Sequence, residues 1–103
     1  MSTRRLNRIE KEIEGIKARI AKIGVVRPGS LTRQYKDPEH QRGAYYQISY
    51  TYRMKSKTEY VRATLLKGVR QQIRNYNELK QLIEKWVALG IEYSQLSMKR
   101  RLR

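Results

Sequence analysis

The stretch GAYYQISYTYRMKSKTEYV, residues 43–61, constrains the fold more than any other part of the chain. Tyr46, Ile48, Tyr50 and Tyr52 alternate with Tyr45, Gln47, Ser49, Thr51 and Arg53, and a period of two is the mark of a β-strand with two different faces. Met54, Lys55, Ser56 and Lys57 read as a short polar turn, and Thr58 to Val61 as the returning strand, so residues 44–61 are expected to form a hairpin. A lone hairpin is marginal in water and needs cover on one face. The side with Tyr46, Ile48 and Tyr50 is expected to turn inward, leaving the side running from Gln47 to Arg53 exposed.

The cover has to come from helices on either side. From Leu6 to Ile23 the residues Leu6, Ile9, Ile13, Ile16, Ile20 and Ile23 recur in steps of three and four, a narrow stripe suited to one partner helix. A helix over 6–23, ended by Gly24, would be roughly 27 Å long at about 1.5 Å per residue. A second helix is expected over 64–98, with Thr64 as its N-cap and a wider apolar face from Leu65 to Leu96. Its later half matches the isoleucine stripe in length, so an antiparallel coiled pair is the economical arrangement, with its first turns lying under the hairpin. Trp86, Val87, Ile91 and Tyr93 exceed what one narrow stripe covers, which makes a homodimer through the helices a further expectation.

Between helix and hairpin, residues 25–42 carry Pro28–Gly29 and Asp37–Pro38 turn signals and read as a loop, with a possible short third strand over Ser30–Tyr35. Residues 99–103 read as a basic tail. The sequence reading is therefore one small α+β domain.

RPGSL at 27–31, Tyr35, GAYYQISY at 43–50, Tyr60 with Val61, and the helical VRQQIRNYNELKQLIEKWVALGIEYSQL together resemble an uncharacterised family of short bacterial and archaeal proteins, often associated with mobile genetic elements. The resemblance implies a helix, hairpin, helix layout and a mobile-element setting, and carries no assigned activity. Members of that family commonly have several cysteines between the tyrosine and the glycine that match Tyr35 and Gly43. Here that interval is KDPEHQR, so the metal-like site the resemblance would imply has lost its thiolates. His40, Asp37 and Glu39 alone fall short of the four ligands, mostly Cys or His, of a structural zinc site.

Charge narrows the function. Twenty-four Lys and Arg against nine Asp and Glu give a formal +15, an excess that repels itself unless a polyanion is near. Nucleic acid, DNA or RNA, is the expected partner. An anionic membrane surface is the other polyanion, but the apolar helix faces are needed internally, and no continuous apolar run suggests a secretion signal or a span. An intracellular, cytoplasmic protein is expected. One histidine, no cysteine, no Gly-rich phosphate loop and no paired acidic motif argue against an enzyme, and no cofactor or metal is expected.

The candidate nucleic-acid contacts are the bases in and around the hairpin, Arg27, Arg33, Lys36, Arg42, Arg53, Lys55, Lys57 and Arg62, with Tyr45 and Gln47 on the polar strand face. Lys67, Arg70 and Arg74 join them, sharing one helical surface by their steps of three and four. Bases neutralise phosphates, tyrosine rings stack on unpaired bases, and a β-ribbon with polar side chains can enter a major groove. The competing expectations are a protein interaction module that docks the basic hairpin on an acidic partner, and a small subunit of a ribonucleoprotein.

Overall fold

The protein has an α+β fold, described here by a computed structural model covering residues 2–101. Helix α1 (Ser2–Ala21) precedes three antiparallel strands, β1 (Ser30–Asp37), β2 (Arg42–Tyr52) and β3 (Lys55–Val61), and the chain ends in helix α2 (Leu66–Arg101). Contacts divide it into two compact units. The first pairs residues 2–23 with 78–101, and the second spans Gly24–Asn77.

The first unit is the antiparallel helix pair that the isoleucine stripe predicts. Ile9, Ile16, Leu82 and Leu89 form its buried centre, with Ile13, Ile20, Ile23, Tyr93 and Leu96 packed around them. Leu6 is buried as well. Alignment is fixed by polar contacts along the seam. The Arg5 guanidinium donates to both carboxylate oxygens of Glu92 at 2.5 and 2.8 Å, Tyr93 Oη donates to Glu10 Oε1 at 2.8 Å, and Arg19 reaches Glu78 at 3.4 Å. Arg5 meets Glu92 near the start of α1 and Arg19 meets Glu78 further along it, so the partner number falls as the α1 number rises and the helices are antiparallel. The apolar surplus of α2 stays outside: Ile83, Trp86, Val87 and Ile91 are 37–56% exposed along one flank.

Helix bounds differ from expectation at all four ends. Helix α1 begins at Ser2 and stops at Ala21, after which Lys22 and Ile23 donate to Arg19 and Ile20 at 3.1 and 3.0 Å, the tighter turn that commonly closes a helix. Thr64 does not cap α2. It lies in a 3-10 turn over Ala63–Leu65, entered through Arg62 in extended conformation. The basic segment expected as a tail is helical through Arg101, and residues 102 and 103 lie outside the described ones.

The second unit is a three-stranded sheet in the order β1-β2-β3, followed by the first turns of α2. The third strand is real and longer than its alternation suggested, reaching Asp37. Ile48 is fully buried and Val61 nearly so, while Leu66, Val69, Ile73 and Tyr76, spaced by three and four, form the half-buried stripe of the helical segment. The chain leading into β1 is tied to that segment. Arg27 N–H donates to the Gln72 carbonyl at 3.1 Å, and Asn75 Nδ2 donates to the Val25 carbonyl at 2.9 Å. Gly29 explains the RPGSL motif. Its φ is +146°, and a Cβ there would lie 2.7 and 2.8 Å from the Cγ1 and Cδ1 atoms of Ile48.

The hairpin turn is not where polarity put it. Tyr52 pairs with Lys55, so the turn is the two residues Arg53 and Met54, and Lys55, Ser56 and Lys57 belong to β3. Both turn residues have positive φ, 50° and 64°. That is the geometry of a two-residue type I′ turn, whose twist matches the flanking strands and which usually recruits Asn-Gly.

Candidate nucleic-acid interface

Register sorts the candidate residues onto two unlike faces of the sheet. Leu31, Ile48 and Glu59 stand side by side, as do Arg33, Tyr46 and Val61, then Tyr50 with Lys57 and Tyr52 with Lys55. This is the face that closes over Ile48. The opposite face carries Ser30, Ser49 and Thr58 in one row and Thr32, Gln47 and Tyr60 in the next, with Gln34 beside Tyr45 and Thr51 beside Ser56. Its hydroxyls pair across strands, Ser49 with Thr58 at 3.2 Å and Thr51 with Ser56 at 3.1 Å. Tyr45 and Tyr60 lean together with ring centroids 6.4 Å apart. The exposed side is therefore the one expected, but its character is hydroxyl, amide and phenol.

Arg53, Lys55 and Lys57 lie elsewhere than the sequence reading put them. Arg53 does not continue the row of Gln47, Ser49 and Thr51, because the turn lifts it out of the strand and sets its guanidinium over the Tyr52 ring at 5.4 Å. Arg33, Lys55 and Lys57 belong by parity to the Ile48 face, and all three are exposed on the two edge strands. Arg33 lies over the Tyr35 ring at 5.4 Å. Lys36 is the one charged side chain on the polar face, near the end of β1, where its stem passes over Gly43. Arg42 opposes Asp37 at the far end of the β1-β2 pair. The cations thus surround the sheet at its edges and ends instead of covering one face.

Arg27 is held within the fold. Its guanidinium donates to Glu59 and sits 5.0 Å above the Tyr50 ring. The Tyr50 hydroxyl hydrogen bond and the neighbouring Arg27 charge hold the Glu59 carboxyl below the usual carboxylate range, and the same bond to Glu59 pushes the Tyr50 hydroxyl up. A residue engaged with an acid, a ring and a backbone carbonyl has little left for an external phosphate. Nothing in the local sequence signals this, since Glu59 is far along the chain and comes opposite only through the register.

Arg62 enters the 3-10 turn and is exposed. Lys67, Arg70 and Arg74 share the outer side of the helical segment, away from the Leu66, Val69, Ile73 stripe, and Arg74 is steadied by donating to Gln71 at 2.9 Å. Among the described residues no group of three or more His, Asp or Glu side chains could hold a metal ion. His40 and Asp37 instead bond each other at 2.9 Å across the β1-β2 loop. A shallow cleft of about 250 Å³ beside Val25, Val26, Pro28, Tyr50 and Tyr52 contains a single cation, Arg27, already bound to Glu59. Among the described residues no helix is long and apolar enough to cross a membrane.

The second unit as a whole holds eleven bases, Arg27, Arg33, Lys36, Arg42, Arg53, Lys55, Lys57, Arg62, Lys67, Arg70 and Arg74, against Asp37, Glu39 and Glu59. Among its described residues Arg27 alone of these bases is ion-paired. By contrast, the helix pair spends Arg5, Lys17 and Arg19 on its own glutamates. Compared with known proteins, the chain matches no family, no curated protein and no solved structure.

Proposed function

We propose that this chain is a non-catalytic nucleic-acid-binding protein of the cytoplasm that engages its ligand through the sheet unit. The observation that carries the reading is the set of exposed bases at the edges and ends of the sheet that form no salt bridge among the described residues: Arg33, Lys36, Arg42, Arg53, Lys55 and Lys57. Such groups repel one another in the free protein, and a phosphate backbone relieves that repulsion while releasing condensed counterions. Lys67, Arg70 and Arg74 extend the same surface charge of the unit. The resemblance to mobile-element proteins fits an accessory or regulatory role. A second copy of the chain, through the exposed flank of Ile83, Trp86, Val87 and Ile91, is the assembly this reading favours.

The test is the salt dependence of binding to a fluorescent duplex. If the six bases each meet a phosphate, log affinity falls with log salt at a slope of about −5, and Lys55→Glu with Lys57→Glu reduces that slope by about 2. Affinity that is flat in salt refutes the proposal. The second reading is an acidic protein partner or a ribonucleoprotein particle. It is favoured by the Arg33-Tyr35 and Arg53-Tyr52 stacks, since arginine and tyrosine also dominate protein hot spots. Recovery of one defined protein or RNA with the chain, together with weak and equal retention of all free nucleic acids, would decide for it.

A further inference from the structure

Two properties of the sheet, taken together, choose among nucleic acids. The polar face is uncharged across its centre, where Thr32, Gln47, Ser49, Thr51 and Thr58 present hydroxyl and amide groups. The long bases stand on the two edge strands, Arg33 and Lys36 on β1 and Lys55 and Lys57 on β3, with Arg53 at the turn. We infer that this face inserts into the major groove of B-form duplex DNA and reads base edges there. The inference rests on the nucleic-acid reading above and names the ligand and the face.

Dimensions agree. The axes of the two edge strands lie two inter-strand spacings, about 10 Å, apart, close to the width of about 12 Å of the B-form major groove. The central strand therefore enters the groove while the backbones of the edge strands sit over its walls. With the sheet face against the groove floor, its edge strands run beside the two phosphate walls. Arginine and lysine stems on those strands are long enough to carry their charge around the edge to the phosphates, although Arg33, Lys55 and Lys57 start from the other face. The centre then meets base edges with groups that both donate and accept. A glutamine there can bond adenine at two atoms, and threonine methyls can meet the thymine methyl.

The other nucleic acids fit the same surface poorly. The major groove of duplex RNA is too deep and narrow for side chains to read. Single strands are held by a cationic track along the binding face with successive stacking rings. Here the face has one base, Lys36, near its end, and one aromatic pair, Tyr45 with Tyr60, in place of a succession of rings along a cationic track.

The experiment uses the full chain, the variant Gln47→Ala/Thr51→Ala/Thr58→Ala, and the charge control Lys55→Glu/Lys57→Glu. A labelled pool of random duplex DNA is selected through successive rounds of binding, with a single strand and an RNA duplex of equal length as comparisons. The pool is expected to converge on a motif, and replacing the purines of that motif by 7-deaza purines, which lack the N7 acceptor of the major groove, should weaken binding to it. The triple variant should lose about five- to 150-fold in its preference for the motif over the unselected pool for each base contact removed. The charge control should lose affinity for both. If the triple variant loses the slow amide exchange of β2 and β3, Gln47→Ala alone carries the test. Failure of the pool to converge, indifference to the loss of purine N7, or tighter binding of the single strand or RNA duplex overturns the groove assignment and leaves phosphate binding standing. No salt-sensitive retention of any nucleic acid overturns both.

Discussion

Replacing Arg53-Met54 by Asn-Gly should make the hairpin more stable and its binding weaker, and the opposed signs make this the most informative perturbation of the sheet. Both residues sit in the left-handed region, at φ 50° and 64°. An L-residue with a full side chain is disfavoured there by roughly 1–2 kcal/mol, whereas glycine and asparagine adopt it readily. Met54 is 97% exposed, so packing does not explain its place at the tip. Allowing for the greater unfolded-state freedom of glycine, the net gain should be about 1–2 kcal/mol. Amide hydrogen exchange is the suitable assay, because the helices dominate circular dichroism and the single tryptophan lies in the other unit. The β2 and β3 amides should exchange about 5–30-fold more slowly. The same variant loses one base, so the salt slope for duplex DNA should shrink by about 1. Unchanged or faster exchange would refute the strain argument, and an unaltered salt slope would remove Arg53 from the interface.

Three further outcomes test other parts of the structure. Gly29→Ala should lower the melting temperature of the sheet unit, by about 1–3 kcal/mol or more in stability, because its Cβ collides with the buried Ile48 side chain; a wild-type melt would contradict the packing around Ile48. Glu92 is held below the ordinary glutamate value of 4.5 by its bonds to Arg5, so the pair stabilises the helix unit above that pH and the contribution is lost as pH falls through the depressed value. Glu92→Gln should flatten this acid limb, followed by Trp86 fluorescence, and an identical acid profile in the variant would exclude the pair as its source. Gly15 and Gly90 face open space within helices, so Gly15→Ala and Gly90→Ala should each raise the thermal midpoint, by about 0.5–1 kcal/mol, and a drop at Gly90 would point to a hidden contact there.

The parts of the fold governed by periodicity were legible in the sequence. Steps of three and four fixed the isoleucine seam, and strict alternation fixed which side of β2 contains Ile48. What failed depended on register. Lys55 and Lys57 looked like turn residues because they are polar and follow a run of tyrosines, and the real turn, Arg53-Met54, contains neither glycine nor asparagine to announce it. Moving the turn by that much transfers Lys55 and Lys57 to the edge strand and assigns them the opposite face from Gln47. The pairing of Arg27 is hidden in the sequence for a related reason: its partner Glu59 reaches it only once β3 has paired with β2. The position of a charge in a sheet is set by pairing as much as by composition. Thr32 shows the useful converse, since register alone places it beside Gln47 on the polar face.

A sheet of three strands has two open sides, and both strands that form them, β1 and β3, could accept a neighbour's backbone. Lysine and arginine at such margins are a common guard against runaway strand-to-strand stacking. Arg33, Lys36, Lys55 and Lys57 thus protect the free protein from clumping with its own kind. Exchanging them for apolar residues would confuse insolubility with loss of affinity, whereas reversing their sign keeps the margins repulsive and isolates the electrostatic question.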